Sequence, residues 1–125
     1  MKKNIFLAFV FSAISVAVQA QKIYVLNTSG ITINCFVNKQ QQPSATIRNS
    51  TIAPIGSISS VTNLTVAEQL GGRSMEAGIY EAKPADFTEL IEYINSNSRK
   101  YPNKAAVITV DKSLSSRSAD IQWIE

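Results

Sequence analysis

Between Pro84 and Asp111 the apolar positions first follow the period of a helix and then run together as those of a buried strand do. Phe87, Leu90, Ile91 and Ile94 stand at i, i+3, i+4 and i+7 and share one helical face, with Asp86, Glu89 and Glu92 on the other side. Pro84 suits the first turn, where its missing N–H is not needed, and Asp86 complements the positive end of the helix dipole. Arg99 and Lys100 complement the opposite end. Tyr101-Pro102-Asn103 stops the helix, because the residue before a proline is pushed out of the α region. The pattern predicts one amphipathic helix over about 85–98. Ala105 to Val110 comes next, short, β-branched and nearly all apolar, as an interior strand. Burying the four stripe residues is worth roughly 1.5–3 kcal/mol each before entropy is subtracted.

Upstream, Lys22-Ile23-Tyr24-Val25-Leu26 and the alternating Ile31, Ile33, Cys35, Val37 are two β-type runs. The polar segment Asn27-Thr28-Ser29-Gly30 between them predicts a hairpin. Lys39 to Pro43 is a polar loop. From Ser44 to Thr65 the scattered isoleucines predict one or two short strands, with Pro54 and Gly56 marking a bend or an edge. Thr65-Val66-Ala67-Glu68 matches a capping box and Gly71-Gly72 can end a helix begun there, so a short helix is expected near 65–70. Arg73 to Ala82 reads as a further strand. The last segment, Ala119 to Glu125, fits either an edge strand or a frayed helix.

Strands, a helix and strands again give the α+β class: a small single domain with a mixed or mostly antiparallel sheet. The helix at 85–98 packs on one face of that sheet. If strand 75–82 runs parallel to strand 105–110, the helix is their right-handed crossover, and one sheet face is left without a helical cover.

The first twenty residues stand apart from this pattern. Lys2 and Lys3 precede an apolar run from Ile5 to Val18, and Val18-Gln19-Ala20 supplies a small-x-small cleavage pattern. The run holds Ser12 and Ser15 and is shorter than the roughly twenty residues of a membrane span. Residues 1–20 are therefore expected to be a cleaved bacterial signal peptide, leaving 21–125 as one periplasmic or secreted domain without stable membrane insertion. An uncleaved anchor is the rival reading. Charge changes meaning with that cut. Of the twelve basic residues Lys2 and Lys3 are lost, ten face nine acidic ones, and the net charge falls from +3 to +1. No nucleic-acid partner is implied by so small an excess.

Chemistry is narrowed mostly by exclusion. There is no histidine, which removes Ser-His-Asp triads, Cys-His dyads and His-ligated zinc. The single cysteine, Cys35, allows no internal disulfide and no Cys-rich metal site, and it reads as a small core residue. No phosphate-binding, dinucleotide or calcium-loop motif occurs, so no cofactor and no metal are expected. Three Asn-x-Ser/Thr triplets begin at Asn27, Asn49 and Asn63.

Three residues are binding candidates: Asp111, because it ends the central strand, and the aromatic side chains of Tyr24 and Trp123. Asp111 has the simpler role of opening the turn Asp111-Lys112-Ser113. The order helix, Tyr101-Pro102-Asn103-Lys104, Val107-Ile108-Thr109-Val110-Asp111-Lys112 resembles the periplasmic domains of the biopolymer-transport family over about residues 85–112. The apolar run at 5–18 is too short for that family's membrane helix, and the aspartate such a helix carries is missing, since no acidic residue precedes Glu68. The expected function is that of an exported protein that binds another protein, an inhibitor or immunity-type protein being one version. The alternatives are a carboxylate-dependent hydrolase of envelope polymers, pairing Asp111 with Glu76 or Glu81, and an anchored subunit of an envelope complex.

Overall fold

The computed structural model describes residues 21–69 and 84–125. In chain order these form β1 (Lys22–Asn27), β2 (Ile33–Val37), β3 (Ala45–Ile47), β4 (Thr51–Ser57), β5 (Leu64–Glu68), β6 (Ala85–Asp86), the helix α1 (Thr88–Asn97) with a 3-10 turn at Ser98–Lys100, β7 (Ala105–Val110) and β8 (Asp120–Ile124). Two four-stranded sheets result, ordered β4-β1-β7-β8 and β3-β2-β5-β6. The α+β class holds. The expected single sheet is two, and they share one core.

Strands β1 and β7 lie side by side in parallel at the centre of the first sheet, with β4 and β8 antiparallel on the outside. Their near-continuous apolar sequences suit that position, because the side chains on both faces are buried. Ile23, Val25, Ala106, Ile108 and Val110 point into the main core, whereas Tyr24, Leu26, Ala105 and Val107 join a second cluster with Ile52. The parallel neighbour of β7 is thus β1, with β8 on its other side. The expected strand at 73–82, the glycine pair Gly71-Gly72 expected to end the short helix, and the expected signal segment 1–20 lie outside the described residues.

The hairpin expected between the first two strands does not form, and Asn27 shows why. Its side chain is fully buried and donates to the carbonyls of Ile31 (2.7 Å) and Ile47 (2.9 Å). Its oxygen accepts from the Ser29 N–H (2.9 Å) and hydroxyl (2.6 Å). This clamp folds the 28–32 connection across to the other sheet, where β2 pairs with β3 and β5. Ile31, expected inside the strand, lies before it.

The short helix expected near 65–70 is a strand. Leu64-Thr65-Val66-Ala67-Glu68 pairs with β2 from Ile33↔Glu68 to Val37↔Leu64, and Leu64 and Val66 are fully buried in the main core. The capping-box spacing is real, but a five-residue ladder with three buried apolar side chains (Leu64, Val66 and Ala67) outweighs one possible turn of helix.

The helix is where the apolar stripe put it. Phe87, Ile91 and Ile94 are fully buried and Leu90 is half-buried against the same core. The helix starts later than expected, since Ala85–Asp86 form β6 against Thr65 and Val66. Asp86 then accepts from the N–H of Thr88 (2.9 Å), the first residue of the helix, whose N-cap position is Phe87. The Phe87 N–H donates to the Leu64 carbonyl, and Asn95 bridges the Ser59 N–H and the Val61 carbonyl, so α1 is tied to the β4–β5 connection. Its side chains enter the core shared by both sheets, where the sequence pattern predicted one face of one sheet.

The segment 44–65 supplies β3 and β4, and the bend expected at Pro54 and Gly56 is a bulge. Tyr24 pairs with Pro54 but Ile23 with Gly56, leaving Ile55 as the extra residue. Among the described residues no helix is long and apolar enough to cross a membrane.

Candidate functional site

The three residues nominated by the sequence pattern are not brought together. Tyr24 lies on β1 within the second apolar cluster and is 3% exposed. Trp123 lies on β8 opposite Ala106, near the start of β7, and Asp111 comes just after the end of β7. From Ala106 to Asp111 the strand advances roughly 16 Å, at about 3.3 Å per residue.

Asp111 organises the loop between β7 and β8. One carboxylate oxygen accepts from the Ser113 hydroxyl (2.6 Å), the Ser118 hydroxyl (2.9 Å) and the Ser113 N–H (3.0 Å). The two serine hydroxyls are 2.5 Å apart, and the Asp111 carbonyl accepts from the Leu114 N–H. The Ser113 hydroxyl bond holds the Asp111 carboxyl below the usual carboxylate range; slight burial opposes this, and Ser118 and Lys112 add to it. A carboxylate so stabilised stays ionised and is a poor proton donor, unlike the acid of a hydrolase pair. Ser113 gives its hydroxyl to that carboxylate, and the arrangement is that of a turn closed by its own side chains. Glu76 and Glu81, the acids considered as its partners, lie outside the described residues. Among the described residues no group of three or more Asp, Glu or Cys is placed to hold a metal ion.

Cys35 is fully buried in the main core, and desolvation pushes its thiol up to about 12. It therefore stays protonated at neutral pH, and its burial is what the alternation of β2 implied. No local pattern singles out the asparagines that hold the loops. Asn38 accepts from the N–H groups of Thr62 and Asn63 and donates to the Ser60 carbonyl. Asn49 accepts from the Gly30 N–H, and Asn63 from the Lys39 N–H. Among the Asn-x-Ser/Thr triplets, the buried Asn27 has no room for a glycan.

The other feature with chemical potential is the edge formed by β8. All five of its residues are partly exposed, with Ile121 and Trp123 resting against the main core and Ile124 against the second cluster. The Trp123 ring stacks on Tyr101, centroids 4.5 Å apart and planes 10° from parallel. In the sequence pattern Tyr101 is no more than part of a helix stop; an aromatic beside the proline was the available signal. The stack joins the end of the helical segment to the last strand and fixes the Trp123 rotamer.

The remaining edges are less accommodating. β4 carries Pro54 and the bulge, which remove a donor and bend the strand. β3 has three residues and β6 two. β3 also lies against β4 where the sheets meet. These features define a small α+β protein whose described edge strands are blunted, with β8 as the exception. Comparison with protein-family models, with curated proteins and with solved structures finds no match to this chain.

Proposed function

We propose that the chain is an exported bacterial binding protein that acts by protein–protein contact, in the periplasm or outside the cell, and that its contact strand is β8. An extended segment of the partner adds to the β4-β1-β7-β8 sheet along this edge, its backbone supplying affinity and its side chains meeting Ile121, Trp123 and Ile124. The observation that carries the reading is the contrast between edges: β8 is five residues long, free of proline and partly exposed throughout. An inhibitor or immunity-type role is one form such a protein takes. The ionised, serine-bound Asp111 favours this reading over the hydrolase.

The test is a pull-down from envelope and culture-fluid fractions with residues 21–125 tagged at the amino end, which keeps β8 clear. Gln122→Lys serves as the edge-blocking variant, because a lysine on an edge strand opposes further pairing. The reading expects one stoichiometric protein retained by the parent and lost by the variant, with both unfolding at the same temperature. Equal retention by both would exclude β8 as the contact. No partner for a demonstrably folded domain would sink the binding reading altogether.

A further inference from the structure

We draw no further inference here: the strongest candidate, the second apolar cluster on the outer face of the β4-β1-β7-β8 sheet (Tyr24, Leu26, Ile52, Ala105 and Val107), has all its members on that one sheet, and nothing among the described residues shows what covers it.

Discussion

A buried side-chain amide must place two donors and an acceptor, and Asn27 places all of them on the 28–31 segment and β3. Asn27→Ala takes the side-chain partner from the Ile47 carbonyl and the Ser29 N–H, while the Ile31 carbonyl keeps the Ser29 hydroxyl. Each unsatisfied buried group costs about 1–3 kcal/mol, so the variant should lose at least about 2 kcal/mol, read as a lower urea midpoint. Asn27→Asp should be worse at neutral pH, because it sets a carboxylate against two carbonyl oxygens. Asp111 makes a prediction with a sign. Its folded pKa is depressed by the Ser113 bond, so it contributes stability that is complete above about pH 5 and is lost progressively as the pH falls through about 4 and below. Asp86, depressed chiefly by its Thr88 bonds, acts in the same window. Carboxyl-detected NMR should find both titrating below an ordinary aspartate, and Asp111→Asn should flatten the acid limb of stability. A normal titration for Asp111 would contradict the serine clamp. Neither Asn27 nor the Asp111 clamp is fully legible in the sequence. Asn27 looks like a turn opener because it ends an apolar run and precedes Thr-Ser-Gly. Its burial depends on Ile47, twenty residues away. Asp111 is recognisable as a turn residue from Asp-Lys-Ser, but Ser118 arrives from the far side of the loop.

Elements with a strong local pattern are legible in the sequence, and those decided by distant pairing are not. The helix stripe Phe87, Ile91, Ile94 and the run Ala105–Val110 each carry their own period, so their burial can be read from it. β5 carries two patterns at once, a capping box and an alternation, and its ladder to β2 decides between them. Two substitutions separate those readings. Val66→Ala should cost roughly 1.5–3 kcal/mol through lost burial, whereas Glu68→Ala, partly exposed in a strand, should stay within about 0.5 kcal/mol. A large effect of Glu68 with little effect of Val66 would restore the helix. The β4 bulge gives a sharper test. A Cβ built on Gly56 comes within 2.6 Å of Val61 Cγ2, and the residue has φ of +153°. Gly56→Ala should therefore destabilise the domain, by about 1–3 kcal/mol as overpacking does, in the same urea experiment. Val61 is a core residue, so Val61→Ala has a cost of its own; combined with Gly56→Ala it should lose less than the sum of the two single losses if the clash is the cause.

For the molecule as a whole, class and element content are legible, but the division into two sheets is not. Alternation tells which side chains share a face and says nothing of which strands share a sheet; that is set here by the crossing at 28–32 and by the parallel union of β1 with β7. The functional proposal belongs to the same scale, since an edge exists only once the strand order does. The C-terminal run Asp120–Ile124 fits a helix or a strand equally well by period, and pairing with β7 makes it the outer strand. The most direct measurement is amide hydrogen exchange on residues 21–125, alone and in complex with the protein retained in the pull-down. With β8 as the contact strand, the partner slows exchange in β8 first, with lesser effects on its neighbour β7. Protection that leaves β8 unchanged and falls instead on β3, β6 or the 111–118 loop would contradict that role.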